Sequence, residues 1–155
     1  MRLQPNTLLV VAGPTASGKT ALAIELAKAV GGEIVSADSM QIYRGMDIAT
    51  AKPTPEELAA VPHHLIGFLP IDRSFSVADY ADLARKTIDD ILRRGKVPVL
   101  CGGTGLYIKA IVDNVQYGED IPGNEALRES LRQLAERSGS ARLAAGRYLC
   151  HPGCF

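Results

Sequence analysis

The sequence predicts an α/β fold, a parallel sheet with helices on both faces, and three observations support this. Short apolar runs with the length of buried strands alternate with longer segments of helical periodicity. A glycine-rich run, residues 13–20, lies directly between the first apolar run and the first helical segment. The 155 residues are enough for one α/β domain with its own core, and too few for two.

Eight elements are predicted along the first 113 residues. In chain order they are strand 7–12, helix 20–30, strand 33–37, a helical turn at 56–60, strand 65–69, a helix that begins at Ser76 and ends at Gly95, strand 96–101 and helix 106–112. Leu22, Leu26 and Val30 share one face of the first helix, and Asp79 is a capping partner for Ser76 in the longest one. The strands are short apolar runs, which is typical of parallel strands buried on both faces.

The remainder of the chain predicts the start of a helical insertion and then a tail. An amphipathic helix is expected from Asn124, with leucines at 127, 131 and 134 on its apolar side. The predicted domains are therefore a phosphate-loop α/β core at 1–113, the incomplete start of a helical insertion at 114–145 and a tail at 146–155.

Charge and composition exclude some classes of protein. Seventeen Lys and Arg balance seventeen Asp and Glu, so no overall basic field indicates nucleic acid. No apolar run approaches the roughly 20 residues of a membrane span, and the first residues lack the apolar stretch of a signal peptide. Three cysteines make no disulfide framework. We therefore expect a cytoplasmic protein without a membrane partner, and a monomer.

The glycine-rich run fits the phosphate-binding loop pattern and predicts a fold like that of phosphate-loop NTPases. It consists of Gly13, Pro14, Thr15, Ala16, Ser17, Gly18, Lys19 and Thr20. Its glycines allow successive backbone N–H groups to turn inward around a polyphosphate. The lysine adds a positive charge for phosphate oxygens, and the Thr20 hydroxyl can complete a Mg²⁺ shell. The helix that follows directs the positive end of its dipole at the same anion.

Two further segments should lie beside this loop. In parallel sheets, ligands bind beyond the carboxyl ends of the strands. The phosphate loop, residues 38–41 and residues 102–105 each follow a predicted strand directly. The sequence therefore predicts one site built from three segments that are far apart in the chain.

Four segments of the chain, in the correct order, closely resemble the tRNA dimethylallyltransferase family, also called tRNA isopentenyltransferases. They are Ser-Ala-Asp-Ser-Met-Gln-Ile-Tyr at 36–43, Asp-Ile-Ala-Thr-Ala-Lys-Pro at 47–53, Pro-His-His-Leu at 62–65 and Gly-Gly-Thr-Gly-Leu-Tyr at 102–107. The Gly-Pro-Thr-Ala-Ser-Gly-Lys-Thr version of the loop is also the form that this family prefers. The resemblance extends from about residue 8 to about residue 145.

The resemblance implies transfer of a dimethylallyl group from its diphosphate to N6 of the adenosine 3′ of the anticodon in tRNA. The loop would then hold the diphosphate of the isoprenoid donor. Asp38 would accept the proton as the general base. Thr104 would donate a hydrogen bond to the oxygen that bridges carbon and phosphorus, while Lys19 and a Mg²⁺ ion on Thr20 stabilise the departing diphosphate.

The resemblance also implies contacts with the tRNA anticodon arm. The residues at the matching positions are Asp38, Ser39, Met40, Gln41, Thr104 and Arg128. Chains of the family are about twice as long, and the match ends near Ala145. A Gln- and Arg-bearing motif that contacts tRNA is absent, as are later arginines that help to hold the diphosphate. We therefore expect a truncated member that has the donor half of the site and lacks much of the grip on tRNA.

Other functions and roles stay open from the residues themselves. An adenylate isopentenyltransferase, a phosphate-loop kinase of small molecules and a non-catalytic diphosphate-binding remnant are the alternative functions. Asp38 could be only a metal-shell carboxylate, as in such kinases, and Thr104 could be a helix N-cap. His63 and His64 fit packing or a substrate channel better than a metal site. A solvated helix face is predicted for most of the basic residues at 85, 86, 93, 94 and 96.

Overall fold

The computed structural model of the chain describes residues 4, 6–46, 52–115, 117, 129, 130, 133 and 136. The chain divides into two compact units, Met1–Gln116 and Tyr117–Phe155. Nearly all of the described residues belong to the first unit. Its elements are β1 (Leu9–Ala12), α1 (Lys19–Val30), β2 (Glu33–Ser36), α2 (Pro55–Ala60), β3 (His63–His64), α3 (Val77–Arg93), β4 (Pro98–Gly102) and α4 (Gly105–Val112).

The four strands form one parallel sheet in the order β1-β4-β2-β3. Side chains alternate across it, so neighbours on one strand enter different cores. Ile34 packs with α1 in one core, while Val35 packs with α3 and α4 in the other. Both faces of the sheet are therefore covered by helices, and the predicted α/β fold is confirmed.

Helix α1 is present as predicted, but its buried face differs from the leucine stripe. The buried side chains are Ala23, Ile24 and Ala27, whereas Leu22 is 55% exposed. Small side chains on the sheet-facing side let the helix axis approach the strands closely. The helix ends where Gly31 adopts a left-handed conformation at φ +64°, which a glycine adopts without strain.

Helix α3 forms as the sequence predicts, including its first turn. The Ser76 hydroxyl accepts a hydrogen bond from the Asp79 backbone, and the Asp79 carboxylate accepts one from the Ser76 backbone, which makes a capping box. Tyr80 is fully buried, and its ring stacks on that of Tyr107 from α4 with 3.9 Å between centroids. Its hydroxyl donates to the Ser36 carbonyl at 3.0 Å. The helix is therefore fixed to the carboxyl end of β2.

The prediction of a third strand at 65–69 is wrong. The strand is His63–His64, which pairs with β2. Leu65 and Gly67 have φ values of +62° and +60°, and the extended backbone of a strand requires negative φ. The apolar run therefore continues as a turn beyond the strand. The bounds of the other predicted strands and helices differ from those observed by two residues or fewer.

Arg94 and Lys96, two of the basic residues predicted on a solvated helix face, are exposed as predicted and also bind a buried carboxylate. Glu33, at the start of β2, is 2% exposed. It accepts hydrogen bonds from Arg94 at 2.5 and 2.8 Å and from Lys96 at 2.9 Å, and His64 Nε2 lies 2.7 Å from it. The Arg94 guanidinium in particular holds the pKa of Glu33 far below its usual range, with Lys96 and His64 acting in the same direction.

Arg85, on α3, also has a structural role. Its guanidinium donates to the Ala110 carbonyl at 3.2 Å and to the Val115 carbonyl, so it satisfies backbone groups at the end of α4. Lys86 and Arg93 are exposed, as predicted.

Some sequence predictions lie outside the described residues. These are Arg128, most of the amphipathic helix expected from Asn124, and the tail at 146–155. Among the helices that the structure describes, none is both long and apolar enough to cross a membrane.

The Glu33 cluster predicts how stability depends on pH. Because the folded-state pKa of Glu33 lies below its ordinary value of 4.5, its contribution is complete above about pH 4.5 and is lost as the pH falls further. Glu33→Gln should lower the free energy of unfolding at pH 7 by about 1–3 kcal/mol, because Gln cannot pair with two cations. Urea unfolding at pH 7 and at pH 3.5 measures both effects. Between these two pH values, the free energy of unfolding should fall less in the variant than in the wild type.

The matched control is Glu25→Gln, which removes an exposed carboxylate paired with Lys28 at 3.0 Å. Exposed pairs contribute about 0–1 kcal/mol, so this variant should behave like the wild type. Equal pH dependence in the wild type and Glu33→Gln would show that the cluster does not stabilise the folded state.

A second prediction concerns the end of β4. A Cβ added to Gly102 would lie 2.1 Å from the Ala37 carbonyl oxygen and 2.8 Å from its Cα, and backbone atoms cannot move aside as a side chain can. Gly102→Ala should therefore destabilise the chain by about 3 kcal/mol or more. Gly105→Ala is the control, because nothing lies within 4 Å of its added Cβ. Thermal unfolding should place it within about 1 kcal/mol of the wild type; equal losses in both variants would contradict the close approach.

Candidate functional site

The carboxyl ends of three strands lie side by side, as the sequence predicts. Ala12 of β1 pairs with Gly102 of β4, and Ser36 of β2 pairs with Cys101. The phosphate loop, the segment that begins at Asp38 and the turn before α4 therefore leave the sheet at one edge. Their proximity follows from the register of parallel strands.

The phosphate loop is bonded to its own backbone. The Ser17 hydroxyl donates to the Pro14 carbonyl at 2.8 Å, and Lys19 Nζ donates to the same carbonyl at 2.5 Å. Gly18 has a φ of +80° and Ala16 a φ of +63°, so two residues of the loop are left-handed. Such a conformation is strained for alanine, and strained backbone is often found at ligand sites.

The first turn of α1 is suited to an anion. Gly18 is its N-cap residue and supplies no side-chain oxygen, and the first turn has no acidic residue. The backbone N–H groups at the start of a helix have no partner within the helix, and the helix dipole places partial positive charge there. These groups and the Lys19 ammonium are the ones that bind phosphate at a helix N-terminus.

A cavity of about 220 Å³ lies at this edge of the sheet. Of the predicted site residues, those at 15–20, Asp38 and Gln41 line it. Gly13, Pro14, Ser39, Met40 and Thr104 are not among its lining residues. The structure therefore brings the loop and the segment after β2 together around one space, which Thr104 does not line.

The carboxylate of Asp38 is oriented by its own backbone. One oxygen, Oδ1, accepts hydrogen bonds from the N–H of Met40 at 2.9 Å and of Gln41 at 3.4 Å. This is the local turn that aspartate favours, in which the side chain binds the backbone two residues on. Because both bonds go to Oδ1, the second oxygen is the one that could accept a proton or contact a cation.

Thr104, two residues after the end of β4, contacts the segment that follows β2. Its hydroxyl accepts from the Ser39 N–H at 2.9 Å and lies 3.2 Å from the Ser39 hydroxyl, to which it can donate. Thr104 does occupy the N-cap position of α4, but its side chain makes no capping hydrogen bond. Its side chain therefore fixes Ser39 and does not cap the helix.

Ser36 is a site residue that the sequence reasoning missed. It is 2% exposed, lines the cavity and lies 3.1 Å from the Gln41 side-chain oxygen, to which its hydroxyl donates. A signal was present, because residues two apart on an extended strand share a face and Ser36 lies two positions before Asp38. Ser36 therefore helps to set where the Gln41 amide lies.

Three more polar residues of the wall were not predicted as site residues: Glu57, His63 and Cys101. Burial lowers the pKa of His63, against the opposing effect of the Val61 carbonyl. Burial also raises the pKa of the Cys101 thiol, which keeps it protonated. Glu57 has a local structural role as well, since it closes the capping box of α2 with Thr54. His63 and Cys101 lie on the paired strands β3 and β4, and Glu57 lies on α2, so contacts between distant segments bring all three to the cavity.

The oxygen ligands of the cavity fit Mg²⁺ only as a partner of a bound phosphate. Among the described residues, no three His, Cys, Asp or Glu side chains are grouped to hold a metal ion. Thr20 and Asp38 both line the cavity and offer a hydroxyl and a carboxylate. Mg²⁺ commonly binds with one or two such protein ligands, ligand phosphates and water. These two residues would hold the ion when a phosphate is bound.

Comparison with known proteins assigns the chain to a family. The family model described as IPP transferase matches residues 41–147. The tRNA dimethylallyltransferase of Bacillus subtilis is 51% identical over an alignment of 146 residues that covers 92% of this chain and 46% of that protein. The enzyme of the same name from Exiguobacterium is 52% identical over 141 residues, covering 91% and 45%. The chain thus spans about half the length of the curated relatives that it matches.

Solved structures of similar proteins support the same family assignment. The tRNA isopentenylpyrophosphate transferase of Bacillus halodurans is 45% identical, with a TM-score of 0.71 that covers 96% of this chain and 48% of that one. A eukaryotic dimethylallyltransferase described as acting on tRNA is 31% identical, with a TM-score of 0.69 over 77% of this chain and 31% of that one. From the family match, the identities and the shared fold, we conclude that this chain belongs to the IPP transferase family.

Proposed function

We propose that this chain contributes the donor half of a tRNA dimethylallyltransferase site, in which a dimethylallyl group passes from its diphosphate to N6 of the adenosine 3′ of the anticodon. The observation that supports this most is the single cavity that joins residues of the phosphate loop to Asp38 and Gln41. A phosphate site that shares its cavity with a carboxylate suits transfer from a diphosphate to a nitrogen nucleophile. The relatives named tRNA dimethylallyltransferase support the same chemistry.

The diphosphate of the donor would bind at the phosphate loop. The proposed contacts come from residues 13–20, with the backbone N–H groups at the start of α1 and the Lys19 ammonium placed for phosphate oxygens. Lys19 would exchange the Pro14 carbonyl for the ligand. Mg²⁺ held with Thr20 would supply further positive charge for the leaving group.

Asp38 would act as the general base. An adenine amino group is a weak nucleophile because its lone pair is delocalised into the ring, so removal of its proton assists formation of the new bond. The backbone bonds to Oδ1 fix the carboxylate and leave Oδ2 for that proton. The negative charge that develops on the departing diphosphate is stabilised by Lys19 and the loop amides.

The acceptor would approach the segment Asp38, Ser39, Met40 and Gln41. A base in a tRNA loop must leave its stack to reach a cavity. Ser36 would orient the Gln41 amide toward the edge of that base, and Thr104 would hold Ser39 in place. For Thr104 to donate to the bridging oxygen of the donor, its hydroxyl must turn from Ser39 to the ligand.

Arg128 is proposed as a further tRNA contact, and residues 114–145 as the beginning of a helical tRNA-binding insertion after the core at 1–113. We propose the cytoplasm, where tRNA is modified, as the place of action. A monomer is proposed because one chain supplies all three segments around the cavity.

Calorimetric titration tests the donor site. With Mg²⁺ present, the chain should bind dimethylallyl thiodiphosphate more tightly than ATP. Lys19→Ala should weaken binding by about 10- to 100-fold, since a hydrogen bond between charged groups contributes about 1.5–3 kcal/mol. Lys28→Ala, at the exposed end of the same helix, is the matched control and should leave binding unchanged.

Each other outcome of this titration has a defined meaning. A preference for ATP would favour the phosphate-loop kinase and overturn the proposal. Equal weakening by both lysine substitutions would indicate a nonspecific charge effect. Binding of neither ligand would refute a donor site in this chain.

A separate experiment tests the role of Asp38. Asp38→Asn keeps the side-chain oxygen that accepts from the backbone and removes the basic oxygen. Transfer of the dimethylallyl group to tRNA should fall by about 100-fold or more, because general base catalysis contributes about 10²–10⁴. Donor affinity, measured by the same calorimetry, should stay within about twofold.

Asp113→Asn, at the exposed C-cap of α4, is the control and should retain transfer. Full activity of Asp38→Asn would exclude it as the base. A large loss of donor affinity together with transfer would identify Asp38 as a ligand of the metal and diphosphate instead.

A further inference from the structure

One residue that lines the cavity, His63, carries a polar atom that the chemistry above does not use. His63 lines the cavity together with residues of the phosphate loop, at the start of β3. Its Nε2 is buried and has no hydrogen-bond partner among the described residues. A buried polar atom without a partner is destabilising, so natural sequences retain one chiefly where it has a role.

The other ring nitrogen determines what His63 presents. Nδ1 lies 2.8 Å from the Val61 carbonyl oxygen. A carbonyl can only accept, so Nδ1 must carry a hydrogen and donate it. In the neutral ring the second nitrogen then has no hydrogen and is a proton acceptor. Nε2 is therefore the atom of this ring at which a proton can be gained.

In the absence of an anion, the surroundings of His63 favour its neutral form. Burial lowers the pKa of His63, and the neighbouring His64 acts in the same direction, while the Val61 carbonyl and Glu57 on α2 oppose them. The charged groups of the cavity wall are Lys19, Asp38 and Glu57. Glu33, which contacts His64, is already paired with Arg94 and Lys96.

We infer that His63 is a proton-linked residue of the donor site: when a diphosphate binds at the phosphate loop, His63 Nε2 takes up one proton. This inference rests on the proposed function, because it requires a diphosphate in this cavity. A diphosphate brings several negative charges into a partly buried space that offers one lysine. Nearby negative charge favours the imidazolium form of histidine. The proton comes from solvent, and the ring becomes a donor at both nitrogens while no bond of the ligand breaks.

The consequence is a pH-dependent affinity of this chain for diphosphates. Below the pKa that His63 has in the complex, the cavity wall has a second cationic side chain in addition to Lys19. Above it, the ring stays neutral and binding weakens. Inorganic diphosphate also titrates near neutral pH, so the contribution of His63 is the difference between the wild type and a variant that cannot take up a proton.

His63→Asn is the variant of choice, because its amide nitrogen corresponds to Nδ1 and can still donate to Val61. His64 is an internal control, since its Nε2 is bound to Glu33 and its ring is not among the lining residues. NMR titration of the histidine ring protons of the whole chain, with and without inorganic diphosphate and Mg²⁺, gives the pKa of His63 in the free chain and in the complex. Assignment uses His63→Asn and His64→Gln.

We expect diphosphate to raise the pKa of His63 by about one unit or more, and the ring signals of His64 serve as the internal reference. Calorimetry in buffers of different ionisation enthalpy, at a pH between the two His63 midpoints, should show greater proton uptake in the wild type than in His63→Asn. The affinity of the variant should fall less than that of the wild type as the pH rises through the upper midpoint.

The outcomes separate this inference from the proposal on which it rests. If the amide signals of Gly18 and Lys19 shift with diphosphate and the pKa of His63 does not, the inference is wrong and the donor site stands. If those amide signals do not shift, the donor site itself is refuted, and the inference with it. The wild-type titration gives this answer even if His63→Asn fails to fold.

Discussion

The close approach of β4 to the end of β2 determines the geometry of the whole site. Gly102 lies against the backbone of Ala37, at a separation that no side chain would allow. Backbone hydrogen bonds hold the two strands together on either side of this point, from Ala37 N to the Cys101 carbonyl at 2.8 Å and from Thr104 N to the Ala37 carbonyl at 3.1 Å. Because of these bonds, the Thr104 hydroxyl reaches Ser39, and the segment after β2 is fixed relative to the phosphate loop.

The strand β2 also shows how environment assigns different tasks to similar groups. Glu33, at its first position, is enclosed by two cations and an imidazole, and it stabilises the end of the sheet away from the cavity. Among the described residues, Asp38, two positions past the last residue of this strand, is bound only by backbone N–H groups through one oxygen. A carboxylate saturated by cations cannot serve as a base, whereas one with an uncommitted oxygen can.

Local signals in the sequence predicted much of the fold and part of the site. The phosphate loop, the capping box at Ser76 and the periodicity of α3 each depend on residues close in the chain, and the parallel sheet follows from their alternation. The strand at 65–69 was wrong because apolar composition does not reveal the left-handed backbone at Leu65. The buried face of α1 was predicted incorrectly from its leucines for a related reason. Contact with a sheet favours small residues such as Ala23 and Ala27.

The contacts of the fold and of the site that sequence reasoning did not predict join distant segments. Thr104 fits a helix cap by its local sequence, yet its side chain binds Ser39, 65 positions earlier. The ion pairs of Glu33 with Arg94 join residues 61 positions apart. His63 reaches the cavity only because β3 pairs with β2. Sequence patterns of short period carry no information on such pairs.

The hydrogen bond from Lys19 to the Pro14 carbonyl has a consequence for selectivity. An incoming molecule must replace an acceptor that the loop already supplies at 2.5 Å, so a neutral oxygen on a ligand would gain little over the internal one. The bond to Pro14 already has one ionised partner, but an anionic oxygen adds the Coulombic attraction of a full negative charge to the ammonium, which a neutral carbonyl lacks, so an anionic oxygen is favoured in this exchange. The loop therefore discriminates among arriving molecules by charge before it can do so by shape.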